Sequence, residues 1–298
     1  MRRQGIDPTI FRAYDIRGIY PDELDERAAY LIARAFVRHI HVMRGNSPTG
    51  GTKKQLRILV SSDARSSSPS LKEAFLRGLL EEGVYIVDAG LTTTPMHTFV
   101  VNRIGADGGA MITASHNPAK FNGIKLVGPG GFPIAQGSGM EEIANIAQRA
   151  IFPRKILRGS IKKENFLPAY LHFFKTKFSS LASAQSCPLP PKKKCLLIFD
   201  TGNGMVGLVL RKLLEQFPIF QFKILYEEMD MTFPHHEANP IKPENARDLQ
   251  KAIQKNSAVL GAAFDGDGDR IGFVDEKGEI IPGDFIIALL GQYFLQKN

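Results

Sequence analysis

The chain has 298 residues, of which 43% are hydrophobic and 23% charged, with 28 Gly and 18 Pro. This composition excludes a disordered or collagen-like chain, and the length accommodates two domains with sizeable cores. Lys and Arg outnumber Asp and Glu by 38 to 30, a formal net charge of +8, so the chain attracts anions: nucleic acid, anionic lipid or phosphorylated metabolites.

The absence of Trp and the scatter of basic residues argue against a nucleic-acid platform. No apolar run approaches the ~20 residues of a membrane helix, and residues 1–8 lead into no apolar signal core. Cys187 and Cys195 give no disulfide framework and read as reduced thiols. The expectation is a cytoplasmic protein with neither a nucleic-acid nor a membrane partner.

In chain order, Phe11-Arg12-Ala13-Tyr14-Asp15-Ile16-Arg17-Gly18 sets polar groups beside apolar ones and reads equally as a structural turn and as part of a site. Residues 24–43 have helical period, with Leu31, Ala35 and Val42 spaced for one buried face. Residues 46–51 are a loop. Strand-like runs follow at 56–60, 83–87, 109–113 and 124–127, with helices at 70–82 and 140–150, and 151–159 is a boundary. Residues 170–178 are predicted helical, and 187–194, rich in Pro and Lys, form a loop. A second unit runs strand 195–199, Gly-rich turn, helix 206–217, strand 222–226, helix 246–255, strands 258–264 and 271–275, hairpin 276–281. A last helix, 284–294, begins a further unit, and the chain looks cut off there. Alternating short apolar strands and amphipathic helices indicate α/β architecture.

Basic residues are densest from Arg149 to Lys194, with Arg154, Lys155, Arg158, Lys162, Lys163, Lys175, Lys177 and Lys192 to Lys194 against Glu164. This stretch reads as a solvated linker and helix surface, or as a field that steers a phosphorylated substrate.

The sharpest motif is Asp265-Gly266-Asp267-Gly268-Asp269-Arg270. Three alternate carboxylates converge on one hard cation if the backbone curls around it, and the glycines permit that curl. Asp265, Asp267, Asp269 and Glu276 also match EF-hand ligand positions, but Arg270 stands where that loop needs Gly and the flanks read as strands. Oxygen-only ligands favour Mg²⁺ over Zn²⁺. Thr113-Ala114-Ser115-His116-Asn117-Pro118 ends an apolar strand in a turn with an uncrowded Ser hydroxyl, without the Gly spacing of a hydrolase elbow. Asp200-Thr201-Gly202-Asn203-Gly204-Met205-Val206-Gly207 follows a strand, fits dinucleotide-fingerprint spacing and has Glu227 further on. A nicotinamide-dependent dehydrogenase is therefore an alternative, although it leaves the triple-Asp loop without a task.

Together and in this order, the 11–18 segment, the 113–118 loop with Asn122-Gly123-Ile124-Lys125, and the 265–270 loop resemble the α-D-phosphohexomutase family, in its bacterial phosphomannomutase/phosphoglucomutase branch. The likeness runs from about Thr9 to the chain end. Ser62-Asp63-Ala64-Arg65 departs from the family's Gly-rich run, and 234–240 is a variant of its second-domain segment, where His235 and His236 read as loop structure rather than metal ligands. The resemblance implies two consecutive α/β domains with mixed sheets flanked by helices: domain I at 1–155, domain II at 156–281, and the opening helix of a third at 282–298. The family's sugar-hydroxyl and phosphate loops, in its third and fourth domains, have no counterpart in the sequence.

The implied activity is a phosphohexose mutase, an isomerase that moves a phosphoryl group between O1 and O6 of a hexose phosphate. It would act through a phosphoserine at Ser115 and a bisphosphate. The substrates would be hexose 1-phosphate and 6-phosphate, with glucose 1,6-bisphosphate or mannose 1,6-bisphosphate as activator. Phosphorylated Ser115 would complete a Mg²⁺ site with Asp265, Asp267 and Asp269. Arg17, His116, Asn117, Lys125 and Arg270 are the polar or cationic partners, Lys125 leads Arg17 as candidate for proton transfer, and Tyr14 shapes the pocket floor. A non-catalytic phosphosugar-binding remnant is the other expectation, and self-association through the apolar 284–294 helix is a further one.

Overall fold

The computed structural model describes residues 6–45, 55–152, 159–179 and 195–296. The expected loops at 46–51 and 187–194, the 155/156 boundary, Cys187, Arg154, Lys155, Arg158 and Lys192 to Lys194 lie outside the described residues. The chain divides into two compact units, Met1–Tyr170 and Leu171–Asn298.

The first unit is built on β1 (Ile16–Ile19), β2 (Arg57–Ser62), β3 (Tyr85–Leu91), β4 (Gly108–Ile112), β5 (Phe121–Val127) and β6 (Ser160–Lys163). They form one sheet in the order β1-β5-β4-β2-β3-β6. β4, β2, β3 and β6 run parallel, while β5 is antiparallel to both β4 and β1, so the sheet is mixed. Consecutive residues Ile58, Leu59 and Val60 of β2, and Ala110, Met111 and Ile112 of β4, are all 0% exposed. Successive side chains point to opposite faces, so both faces of these strands are covered, as their unbroken apolar runs require. β6 pairs with β3 from Tyr85↔Ser160 to Asp88↔Lys163, which carries the first unit past residue 155 to Tyr170.

The helices of this unit are α1 (Glu26–Met43), α2 (Ser68–Glu81), α3 (Thr94–Arg103) and α4 (Met140–Arg149). α1 starts where the Asp25 carboxylate accepts the Ala28 N–H at 2.8 Å, an N-cap that satisfies one orphan donor. Its Leu31, Ile32, Phe36 and Ile40 enter the core, where Phe36 and Phe75 of α2 lie 6.5 Å apart between ring centroids. Each such large side chain contributes about 1.5–3 kcal/mol when fully buried. Helix α5 (Leu167–Lys177) spans the division between the units.

The second unit holds β7 (Cys195–Asp200), β8 (Phe220–Leu225), β9 (Leu260–Phe264), β10 (Ile271–Asp275) and β11 (Ile280–Ile281), ordered β11-β10-β9-β7-β8. β8, β7 and β9 are parallel, and β10 and β11 add antiparallel strands, a second mixed sheet. Ile198, Leu249, Ile253 and Val274 anchor its core beside α7 (Arg247–Asn256). The helix expected at 206–217 is broken: a 3-10 turn, Met205–Leu208, gives way to the five-residue α6 (Leu210–Leu214). The last helix, α8 (Gly283–Leu295), has no buried residue, and Phe285, Ile287, Leu289 and Phe294 are 67%, 73%, 62% and 60% exposed. Among the described residues, no helix is long and apolar enough to cross a membrane.

Candidate active site

Ligands of α/β sheets gather outside the carboxyl ends of parallel strands, and the serine, Gly-rich and aspartate loops follow β4, β7 and β9 at such ends. β4 stops at Ile112, and the 113–118 loop follows directly. Ser115 takes the left-handed conformation, φ +53, which costs a non-glycine residue energy unless its surroundings fix it. Thr113 Oγ1 accepts the Ser115 N–H at 3.0 Å, and the Ala114 carbonyl accepts the Asn117 N–H at 3.0 Å. The turn leaves Ser115 Oγ 3.4 Å from His116 Nδ1.

Two cationic side chains expected at the site occupy the neighbouring strands. β1 pairs Arg17 with Gly123, and β5 pairs Lys125 with Met111. Residues two apart on a strand share a face, so Arg17 and Lys125 lie on the same face of the sheet. Arg17 donates one amino group to Asn117 Oδ1 at 2.7 Å and another to the Asp15 carboxylate. Lys125 is half-buried, and Tyr14 is 83% exposed. On this same face, which Ser61 reaches through its pairing with Met111, Thr92 donates to Ser61 Oγ at 2.8 Å, and Ser61 meets His97 Nδ1 at 2.7 Å. Burial first, and the Lys125 charge second, push the pKa of His97 down to about 3, so its ring is neutral.

Arg65, which the sequence shows only as part of the variant 62–65 run, binds three carbonyls of the serine loop. Its side chain is 1% exposed, and it pairs with Asp63, which is 0% exposed, at 3.2 Å. One terminal nitrogen donates to the carbonyls of Pro118 and Phe121 at 2.9 and 3.1 Å, the other to those of Ser115 and Asn117 at 2.9 and 2.7 Å. Asp63 also accepts from Ser68 Oγ at 2.5 Å, and Asn122 donates to Ser67 Oγ and Ser68 Oγ at 2.8 and 3.0 Å. Burial raises the pKa of Asp63 in spite of the Arg65 charge and these hydrogen bonds.

In the second unit, β9 ends at Phe264 and the aspartate loop follows. Asp265, Asp267 and Asp269 each present a carboxylate oxygen, all within 4.8 Å of one another; the first two are buried and the third exposed. The loop curls because Asp265 Oδ1 accepts the N–H groups of Gly268, Asp269 and Arg270, each at 3.0 Å. Three convergent hard oxygens fit a divalent cation such as Mg²⁺. Arg270 is exposed beside them.

The Gly-rich turn after β7 serves this loop. A Cβ on Gly204 would meet the Gly266 carbonyl at 2.8 Å, and one on Gly207 would run into the Glu227 carbonyl. Met205 N–H donates to Gly266 O at 2.8 Å. The glycines whose spacing suggested a dinucleotide are close-packed, Gly204 against the aspartate loop, Gly207 against Glu227 and Gly202 against Ala238, and they lead into broken helix rather than a long one that would face a pyrophosphate. His235 Nδ1 lies 2.7 Å from Asn203 Oδ1 and its ring stacks on Tyr226 at 4.0 Å, while His236 pairs with Asp200 at 3.0 Å. Among the described residues, the metal-competent group is the aspartate triad and includes neither histidine.

Residues 8–154 match the phosphoglucomutase/phosphomannomutase α/β/α domain I, and residues 168–278 match α/β/α domain II. The chain belongs to the phosphoglucomutase/phosphomannomutase family. Among its relatives, a phosphomannomutase of Vibrio cholerae is 36% identical over 295 residues, covering 97% of this chain and 60% of its own length. A phosphoglucomutase of Neisseria gonorrhoeae is 36% identical over 290 residues, covering 97% and 58%. The crystal structure of a phosphoglucomutase/phosphomannomutase family protein from Burkholderia thailandensis superposes with a TM-score of 0.82 at 30% identity, covering 98% of this chain and 60% of that one. The chain thus spans about 60% of the relatives it matches. Family membership accounts for the two consecutive α/β domains.

Proposed function

We propose that the chain takes part in phosphohexose mutase chemistry, moving a phosphoryl group between O1 and O6 of a hexose phosphate through a phosphoserine at Ser115 and a hexose 1,6-bisphosphate. The observation that carries this reading is the serine loop itself. A non-glycine residue is held at φ +53 with its hydroxyl 3.4 Å from an imidazole, at the carboxyl end of a parallel strand. Relatives named for mannose and for glucose phosphates match at the same 36% identity, which supports hexose phosphates as the substrate class.

In this reading Arg17, aimed by Asp15 and Asn117, presents a guanidinium fork to phosphate oxygens. The sugar hydroxyl attacks phosphorus, its O–P bond forming as the bond to Ser115 Oγ breaks. Lys125 is the group placed to take up the hydroxyl proton, and His116 the one placed to supply a proton to Ser115 Oγ. In the first unit Asn117 is a candidate partner for substrate oxygens and exposed Tyr14 would shape the pocket floor, and in the second unit exposed Arg270 is a candidate phosphate partner. Asp265, Asp267 and Asp269 would hold Mg²⁺, which when bound supplies positive charge against the transferring phosphoryl group.

Intact mass after incubation with glucose 1,6-bisphosphate or mannose 1,6-bisphosphate tests the assignment. The expected result is one phosphate on the wild-type chain and none on Ser115→Ala. Phosphate retained by Ser115→Ala, or found at another residue, overturns it.

A further inference from the structure

Arg65 makes no use of its charge at the protein surface, and no reacting group needs it as a proton donor. Its two terminal nitrogens are spent on backbone. Four carbonyl oxygens, those of Ser115, Asn117, Pro118 and Phe121, accept from its two terminal nitrogens at 2.7 to 3.1 Å. These carbonyls belong to the loop that carries the nucleophile and to the first residue of the strand that follows it. The remaining nitrogen, Nε, donates to Asp63 Oδ2 at 3.2 Å, and the Arg65 backbone N–H donates to Asp63 Oδ1 at 3.1 Å. Asp63 is itself tied to the end of β4, because its N–H donates to the Ile112 carbonyl at 2.9 Å.

A buried guanidinium and carboxylate give little net stability relative to an apolar pair of the same volume. Stability alone is therefore a poor account of placing this pair at the carboxyl ends of β2 and β4. What the arrangement does supply is geometry. A rigid planar fork fixes several acceptors at once, and here it turns the carbonyls of Ser115 and Asn117 inward together. Those two orientations define the turn in which Ser115 sits at φ +53, a conformation that persists only where surroundings over-determine it.

We infer that Arg65 is a positioning residue for phosphoryl transfer at Ser115, holding the serine loop in its strained turn from beneath without touching substrate. This rests on the phosphoserine reading of Ser115. Because Arg65 binds neither sugar nor phosphate, its loss leaves ligand affinity in place and removes rate. A displacement of about 1 Å at a reacting atom costs about a hundredfold. Lysine keeps the charge opposite Asp63, but its single ammonium has three donors on one atom and cannot span four carbonyls.

The test follows phosphate uptake at Ser115 from glucose 1,6-bisphosphate by intact mass against time, over a range of bisphosphate concentrations, for wild type and Arg65→Lys. Thermal unfolding of each sample sets the folded fraction to which rates are normalised. The expected result is a maximal uptake rate at least about tenfold lower in Arg65→Lys, with the half-saturating bisphosphate concentration unchanged. A purely structural role would lower the folded fraction and leave the rate per folded molecule at the wild-type value, and that outcome overturns the inference. If Arg65→Lys does not fold, Asp63→Asn carries the test. It keeps the shape of the Arg65 partner and removes the charge, and is expected to slow maximal uptake with the same unchanged half-saturation. A wild-type maximal rate in that variant likewise overturns the inference. A wild-type chain that takes up no phosphate overturns the phosphoserine reading, and this inference with it. That failure is distinct, because it shows in the wild type and not only in the variants.

Discussion

Arg17 and Asn117 meet at 2.7 Å although 100 residues separate them in the chain. The sheet order β1-β5-β4 makes this contact, since it lays β1 two strands from the loop that follows β4. With Asp15 accepting from the other amino group, the guanidinium is oriented before any ligand arrives.

A hydrogen bond to a charged group is worth about 1.5–3 kcal/mol, which corresponds to roughly tenfold to a hundredfold in affinity. Asn117→Ala is therefore expected to raise the bisphosphate concentration that half-saturates phosphate uptake at Ser115 by about tenfold or more. Arg17→Lys, which loses the fork, is expected to do the same or worse. Unchanged half-saturation in both variants would remove Arg17 from the binding role.

The aspartate triad makes a separate prediction about metal. Divalent-cation affinity depends on the number of charged ligands, and Asp267 is one of the two buried members of the triad. Asp267→Asn is expected to weaken Mg²⁺ binding by about tenfold or more in calorimetric titration. Asp22→Asn, an exposed residue of the first unit, is the control and should leave it unchanged. Equal affinities in the two variants would place the cation elsewhere.

His236 gives the second unit a pH dependence. Its Nε2–H donates to Asp200 Oδ2 at 3.0 Å and its Nδ1–H to the Glu237 carbonyl at 2.9 Å, so both ring nitrogens carry protons. Burial works against this charge, but the hydrogen bond and charge of Asp200 outweigh it, and the pKa is raised above the usual histidine value. A raised folded-state pKa contributes stability that is fully present below the unfolded value of ~6.5 and is lost as pH rises through the folded value. The unfolding midpoint is expected to fall over that window in the wild type, and His236→Gln should flatten this part of the profile. The same slope in both proteins would assign the pH dependence to another group.

Much of this architecture is legible in the sequence because the central strands are unbroken apolar runs. Ile58 to Val60 and Ala110 to Ile112 admit little but a covered sheet. β1 is not legible: it is four residues long, includes Arg17 and Gly18, and is a strand because β5 pairs with it. α3 is obscured by polar His97 and Asn102 within its ten residues. The helical period of 206–217 conceals a break, because periodicity does not reveal that Gly207 lies against the Glu227 carbonyl. Ser115 and the three aspartates stand out as motifs because the proposed chemistry is in their own side chains. Arg65 and Asp15 fall within the 62–65 and 11–18 segments, but what they do is not visible there, because each acts by orienting other groups. Arg65 in particular acts on backbone 50 to 56 residues away, where the identity of the accepting residue hardly matters.

The last prediction concerns α8. Ile287, Leu290 and Phe294 recur at helical spacing on one face and are 73%, 49% and 60% exposed. Phe285, Leu289 and Leu295 widen the apolar surface, at 67%, 62% and 80% exposed. Covering such side chains gains about 25 cal/mol per Å² of apolar surface removed from water, and the helix carries one acidic residue, Asp284, in its first turn and no basic residue in its last. Little charge therefore opposes the pairing of two copies face to face. The 298-residue chain is expected to self-associate through this helix, with a light-scattering mass above that of the monomer. Leu290→Glu puts a carboxylate in the middle of the stripe, where pairing would bury it, and should return the mass to the monomer value without lowering phosphate uptake at Ser115. A wild-type chain that stays monomeric at the concentrations where Leu290→Glu is measured would show that the α8 face does not drive association.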